Sequence, residues 1–437
     1  MNIYLKKVRT KTLFSKFEPI KVEPLELCYL KKVAEDLGHN CFIIDELFHL
    51  NVIPREDSPL NVIPSVVEGS PLFPHIIALT GYNVAENQIL KEAEEYKGQF
   101  PDAKIIVGGV HVQLNSSCFH KPYIDYVIHS HSIDVFRNVI SRIQGQDIPI
   151  KGFDFNYNGE WIIGGKVVVD YMEEIYPDRE FFYTYKNQIY YLEKREVALI
   201  KGSVGCPYKC SYCYCRELNG GRFIKTDYSK LVKEMSAVDA YYFWIVDDVL
   251  FTSRQDALCF IDESLKVGFK KKFIAYLRAD FILREKDLLS KLRDVGLDEI
   301  IIGFEAISQK ELKEYNKGTN AVDYPQAIRS LKENHIDYTA LFMVKPEYGI
   351  KEFRSLYRFI KDNGIQVFTL SIFTPMKGTV EYDESRLTKT DPKYFDFLHL
   401  VTKSRLPKPL FYLLFYGIHL RMLKSKRIIN YLLRKKE

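Results

Sequence analysis

Two patterns of apolar and polar positions divide the chain. In residues 1–140, short apolar runs at 3–7, 41–45, 76–79, 104–107 and 125–128 alternate with stretches of helical spacing, notably 26–37 and 85–99. Gly38 follows the first of these helices as a C-cap. Strand and helix in repetition predict a doubly wound, Rossmann-like parallel sheet with helices on both faces. A second alternation begins near residue 196. Apolar runs at 198–202, 242–246, 272–276, 299–302, 339–344 and 366–372 are interleaved with helical patterns at 228–236, 254–267, 285–295, 308–315 with 324–334, and 351–363. Such a series predicts a partial (βα)6 barrel, whose chemistry sits at the C-terminal ends of the strands.

The expected organisation is therefore α/β, with a sheet domain over 1–144, a linker over 145–195, a barrel over 196–387 and a helical, basic region over 388–437. One stretch breaks the pattern. The tetrapeptide Asn-Val-Ile-Pro occurs at 51–54 and again at 61–64, each followed by Ser-Pro-Leu. This short repeat reads as an inserted surface loop over about 51–74.

Composition changes the picture only in part. A chain of 437 residues with 46% hydrophobic and 27% charged residues is globular and too long for one core. A net charge of +5 gives no reason to expect nucleic acid. The basicity is concentrated, however: ten Lys or Arg and one acid lie between Lys403 and Glu437. The apolar run 410–418 in that region is too short to span a bilayer. Two readings stand for it: peripheral contact with an anionic membrane surface, or a helical bundle packed on the barrel. The opening MNIYLKKVRTKTLF lacks an apolar leader core, which places the protein in the cytoplasm.

Eight cysteines in such a chain do not form a disulfide scaffold. Cys28, Cys41, Cys118 and Cys259 sit in apolar or helical contexts and read as small buried hydrophobes. The other four bunch within ten residues. Cys206, Cys210 and Cys213 have the spacing C-x3-C-x2-C, in a loop just after the first barrel strand. Thiolates are the usual ligands of iron–sulfur clusters. Three ligands for a four-iron cube leave one iron open. The competing reading is zinc, with Cys215 as the fourth ligand. Zinc sites generally draw ligand pairs from separate segments, whereas these four are local.

Residues 205–213, Gly-Cys-Pro-Tyr-Lys-Cys-Ser-Tyr-Cys, resemble the cluster loop of the radical S-adenosylmethionine (SAM) superfamily. Later segments resemble its cobalamin-binding branch: Phe243-Trp-Ile-Val-Asp-Asp248, Tyr276-Leu-Arg-Ala-Asp280, Gly303-Phe-Glu305, and Thr374-Pro-Met-Lys-Gly-Thr379 with Lys377 in place of a proline. The resemblance implies a [4Fe–4S] cluster on Cys206, Cys210 and Cys213 and reductive cleavage of SAM to a deoxyadenosyl radical. Asp247, Asp248, Arg278 and Glu305 would hold SAM, with Tyr212 near its adenine. Each also has a plainer reading, such as a buried ion pair of Arg278 with Asp248.

The first 140 residues resemble the cobalamin-binding domain of the same branch, through Leu37-Gly-His39, Ile44-Asp45 and Val107-Gly-Gly-Val-His111. Gly108 and Gly109 would let cobalamin approach the backbone closely; the plainer reading is a tight turn. At 129–133 the sequence reads His-Ser-His-Ser-Ile, where that branch is glycine-rich, and His129 and His131 read as a surface pair. The function implied is cobalamin-dependent methyl transfer to an unactivated carbon of a small, natural-product-like substrate. An external reductant such as flavodoxin or ferredoxin would supply electrons. The alternatives are a radical enzyme without cobalamin, and a zinc-stabilised binding module.

Overall fold

The computed structural model describes residues 1–10, 18–48, 73–131, 133–172 and 174–434. The Asn-Val-Ile-Pro repeats, and nearly all of the inserted loop read over 51–74, lie outside them. The chain forms two compact units: one of residues 1–18, 23–185 and 217–222, the other of 19–22, 186–216 and 223–437.

The first unit is built on a seven-stranded sheet. Five parallel strands run in the order Asn40–Asp45, Asn2–Lys7, Ile76–Thr80, Lys104–Gly108 and Tyr126–Ile128. Their side chains alternate between two cores, as a period of two demands. Ile76, Ala78 and Ile106 face a cluster with Leu27, Val33, Phe136 and Ile140. Ile77, Leu79, Ile105 and Val107 face another with Ile89, Ala93 and Val112. These clusters are the two helical layers of a doubly wound sheet. The expected C-cap is present: Gly38 adopts φ +79°, and the N–H groups of Gly38 and His39 close on the carbonyls of Glu35 and Ala34 at 2.9 and 3.0 Å.

The sheet is mixed rather than purely parallel. Phe153–Tyr157 pairs antiparallel with Tyr126–Ile128, and Glu160–Ile162 pairs antiparallel with it in turn. Both strands come from the segment read as a linker. Asn158 and Gly159 turn between them with φ of +52° and +93°, the backbone a two-residue hairpin turn requires.

The second unit carries six parallel strands in sequential order: Val197–Ile200, Tyr242–Ile245, Lys272–Leu277, Leu297–Glu305, Asp337–Val344 and Phe368–Ile372. Helices Tyr228–Ala237, Arg254–Lys266, Ala279–Arg284, Leu289–Asp294, Gln309–Glu314, Tyr324–Glu333 and Ile350–Asp362 connect them. Each strand pairs only with its neighbours in the chain, and the sheet curls as a partial barrel. Phe243, Ile245, Phe273, Ile300 and Ile302 are fully buried.

At the N-terminal ends of the strands lies an ionic floor. Glu299, fully buried, accepts from Thr339 Oγ1 at 2.7 Å, Tyr191 OH at 3.3 Å and Arg427 Nη2 at 2.6 Å. Arg427 also reaches Glu193 at 2.6 Å, and Lys194 lies 3.4 Å from Glu299. The basic region thus spends one cation inside the barrel. Helix Lys408–His419 buries Phe411, Phe415 and Ile418, with Phe411 edge-on to Phe353 of helix Ile350–Asp362 at 5.2 Å. Among the described residues no helix is long and apolar enough to cross a membrane.

Candidate functional site

The cysteine loop is rooted at the end of the first barrel strand. Asp247, from the end of the second, accepts the backbone N–H groups of Gly202 and Ser203 at 2.8 and 3.0 Å through one oxygen. It is 2% exposed, and burial pushes its carboxyl up to about 6. A Cβ at Gly202 would lie 3.1 Å from Leu231 and 3.3 Å from the second Asp247 oxygen, so glycine leaves room for this tie. The loop then turns through Gly205 at φ +76°. Further along, Ser211 N–H donates to the Tyr315 carbonyl at 3.0 Å and the Asn316 amide to the Lys209 carbonyl at 2.8 Å.

Cys206, Cys210, Cys213 and Cys215 are all half-buried free thiols. Burial pushes Cys206 up to about 11, while a hydrogen bond from Cys215 lowers Cys213. Cys215 is also hydrogen-bonded to Asp248. Among the described residues no group of three His, Cys, Asp or Glu is drawn into a ready metal cage. The donor chemistry nevertheless fits a cluster: three soft thiols on one short loop whose ends are fixed by backbone hydrogen bonds.

The structure divides the Asp-Asp pair. Both residues lie just beyond strand Tyr242–Ile245, and one is buried while the next is exposed. Asp247 is spent on backbone N–H groups, whereas Asp248 is exposed and beside the thiols. Arg278 caps the third strand's end. Its guanidinium lies 3.8 Å over the Tyr208 ring, donates to Asp280 at 2.8 Å and to the Lys317 carbonyl at 2.7 Å. Its ion-pair partner is thus Asp280.

Glu305 closes the fourth strand with φ +64°. Its carboxylate curls back over Gly303, where a Cβ would fall 2.3 Å from Glu305 Oε1. Lys317, 7% exposed, holds that carboxylate at 2.9 Å and the Tyr212 hydroxyl at 3.3 Å. Tyr212, Glu305 and Lys317 therefore form one hydrogen-bonded trio, with Arg278 joined through the Lys317 backbone. Lys317 escaped the sequence reading. Its only signal is the short Asn316-Lys317-Gly318-Thr319 loop, whose Gly318 adopts φ +69°.

In the first unit, Gly108 ends the fourth parallel strand in the sheet and Gly109 follows it. Gly109 has φ +106° and a Cβ there would lie 2.3 Å from Thr80 Oγ1. Gly109 is thus a steric necessity. Gly108 is not: its Cβ would meet Ile128 at an ordinary 3.5 Å. That bare backbone is the feature that fits the approach of a cofactor. His111 is engaged by Glu86 at 2.6 Å. His129 corrects the surface reading: it is 7% exposed and bonds Asp154 at 3.0 Å, which also takes His120 at 2.8 Å and the Gly164 N–H at 3.0 Å. Burying this carboxylate against two imidazoles ties the end of the fifth strand to the antiparallel extension. His131 is only partly buried.

Comparison with known proteins adds a partial match. Residues 200–360 match the model of the radical SAM superfamily. The hopanoid C-3 methylase of Methylococcus capsulatus is 25% identical over 245 residues, 56% of this chain and 47% of that protein. The anaerobic magnesium-protoporphyrin IX monomethyl ester cyclase of Cereibacter sphaeroides is 27% identical over 363 residues, 78% of this chain and 57% of that protein. The chain spans about half the length of the curated relatives it matches. Among solved structures, the radical SAM methyltransferase TsrM from Kitasatospora setae, with cobalamin and a [4Fe–4S] cluster bound, superposes with a TM-score of 0.66 at 16% identity, covering 97% of this chain and 90% of that one. The cobalamin-dependent radical SAM enzyme OxsB gives 0.60 at 15%, covering 82% and 52%.

Proposed function

We propose that the chain, whose residues 200–360 match the radical SAM superfamily, cleaves SAM reductively at a [4Fe–4S] cluster held by Cys206, Cys210 and Cys213. When bound, the cluster supplies one electron to SAM, and cobalamin supplies a carrier for a methyl group. The remaining work falls to the chain's own residues. Asp247 fixes the root of the cysteine loop through two backbone hydrogen bonds. Arg278, with Nε on Asp280 and Nη2 on the Lys317 carbonyl, keeps Nη1 to donate to the SAM carboxylate. Glu305, steadied by Lys317, and Asp248 offer acceptors to the amino group and ribose hydroxyls. Tyr212 offers an aromatic surface to adenine.

The observation that carries this reading is the convergence at the C-terminal strand ends of one family-matched barrel: three free thiols on a tied loop, and the Tyr212–Glu305–Lys317 trio beside it. Methyl transfer to an unactivated carbon of a small, natural-product-like substrate, with flavodoxin or ferredoxin as reductant, is the fuller form of the proposal. The fold shared with cobalamin-dependent enzymes and the bare backbone at Gly108 support it. The edge formed by buried His129 favours a second reading, radical chemistry without cobalamin.

Anaerobic purification with iron, cobalt and zinc measured together tests all three possibilities. Replacing Cys206, Cys210 or Cys213 with Ala abolishes the brown chromophore and 5′-deoxyadenosine release, whereas Cys215→Ala preserves both. Loss confined to Cys215→Ala, with zinc as the metal, refutes the assignment. Given cobalamin and reductant, the methyl-transfer form releases S-adenosylhomocysteine as well as 5′-deoxyadenosine. The cobalamin-free form releases 5′-deoxyadenosine alone.

A further inference from the structure

The basic C-terminal region divides its residues between two tasks. Arg427 is turned inward to Glu193 and Glu299, and Arg405 lies 3.9 Å from Glu352. Lys403, Lys408, Lys424 and Lys426 are exposed, and none has an acidic partner among the described residues. The sequence contains no Asp or Glu from 403 to 434. The four cations therefore face solvent with nothing to neutralise them.

The same segment exposes its large apolar side chains. Helix Lys408–His419 packs inward through Phe411, Phe415 and Ile418. The opposite face of that helix turns out Leu413, 69% exposed, and the 3-10 turn Leu420–Lys424 that follows turns out Leu420 at 65% and Leu423 at 55%. Helix Lys426–Arg434 repeats the division, with Tyr431 buried and Leu433 60% exposed. A single exposed leucine is ordinary on any surface. Here outward leucines recur in consecutive helical segments, with unpaired lysines on either side of them along the chain. Outward residues of this kind on short helices, too short to span, have the composition of an interfacial segment.

We propose that this face docks on an anionic phospholipid surface, with the lysines over the headgroups and Leu413, Leu420 and Leu423 entering the acyl boundary. Charge complementarity selects the occupant. A basic segment with no carboxylate of its own from 403 to 434 matches an anionic surface, whereas a protein partner generally offers mixed charge. Nucleic acid would use the lysines but leave the leucines in water.

The test is co-sedimentation of the full chain with vesicles of phosphatidylcholine alone and of phosphatidylcholine with phosphatidylglycerol. The protein binds the second and not the first, and binding weakens with salt. The variant Lys403→Gln/Lys408→Gln/Lys424→Gln/Lys426→Gln lowers affinity by about a hundred-fold or more. Leu413→Gln/Leu420→Gln/Leu423→Gln lowers it by about ten-fold or more at unchanged charge. Leu265→Gln, equally exposed elsewhere in the unit at 66%, has no effect. Both multiple variants keep Arg427, and a melting temperature equal to the parent's shows that the fold is kept. Failure of the parent to bind phosphatidylglycerol vesicles overturns the proposal, as does unchanged binding by either variant. Binding to duplex DNA or to RNA that needs the lysines but not the leucines also overturns it.

Discussion

Removing Arg427 tests the ionic floor directly. Arg427→Ala leaves Glu299, fully buried, with two hydroxyl donors and with Lys194 at 3.4 Å as its nearest cation. Taking one partner from a buried ion pair costs about 3–5 kcal/mol, because the remaining charge stays desolvated. Lys194 offsets part of this, which places the expected loss near about 3 kcal/mol. At about 2–4 °C per kcal/mol for a unit of this size, the melting temperature falls by about 6–12 °C. Thermal melts under anaerobic conditions give the size of the effect. Hydrogen exchange over Leu297–Glu305 gives its location. Arg427→Lys falls between, since a point charge cannot bond Glu193 and Glu299 as a fork does. Arg427→Ala combined with Glu299→Gln recovers most of the loss, because the stranded charge is gone. A melting temperature within about 1 °C of the parent for Arg427→Ala refutes the reasoning. So does a double variant as unstable as the single one.

Further predictions concern the candidate sites. Gly303→Ala meets the far ends of two flexible side chains, Glu305 Oε1 at 2.3 Å and Lys317 Nζ at 3.1 Å, so the fold survives by moving that pair apart; SAM affinity measured at equilibrium drops about ten-fold or more, a loss of about 1.4 kcal/mol or more, and unchanged affinity removes Glu305 from the pocket. Gly108→Ala leaves stability unchanged but weakens cobalamin uptake, whereas Gly109→Ala destabilises the first unit through its φ and Thr80; cobalamin uptake equal to the parent's in Gly108→Ala withdraws the close-approach argument. Asp247 binds its proton more tightly folded, at about 6, than unfolded, at about 3.9. Its contribution to stability therefore falls as pH rises from about 4 to about 6, by roughly 3 kcal/mol at most. Asp247→Asn keeps an acceptor for both N–H groups and melts higher than the parent at pH 7, a gap that closes toward pH 4; a lower melting temperature at pH 7 contradicts the sign.

The parts of the architecture legible in the sequence are those where one physical signal dominates. All six barrel strands are near-continuous apolar runs, because a parallel sheet buried on both faces leaves few polar positions. Gly38 declared its helix end because only glycine takes that φ cheaply. The hairpin of Phe153–Tyr157 and Glu160–Ile162 was overlooked although Asn158-Gly159 is a strong turn signal. Its strands are short, and Trp161 and Ile162 stand half-buried or exposed, so no apolar run marked them. The Asp247-Asp248 pair looks like one feature in the sequence because adjacency hides that the first is buried on backbone N–H groups and the second is exposed. Lys317 was invisible for another reason. Its role depends on a carboxylate twelve residues away and a phenol more than a hundred residues away, and no local pattern encodes such a meeting.

The sequential strand order has a consequence for how the protein is made. Each barrel strand pairs with the one synthesised just before it, so the sheet grows as the chain leaves the ribosome. Glu299 is placed early in that growth. The guanidinium that neutralises it lies 128 residues further on, and arrives after the sixth strand is complete. Until then the nascent barrel carries a dehydrated carboxylate with incomplete compensation. A product that stops short of residue 427 lacks that guanidinium, and Lys194 is left as the nearest cation to the buried carboxylate. The floor is thus completed only once the chain has passed this point.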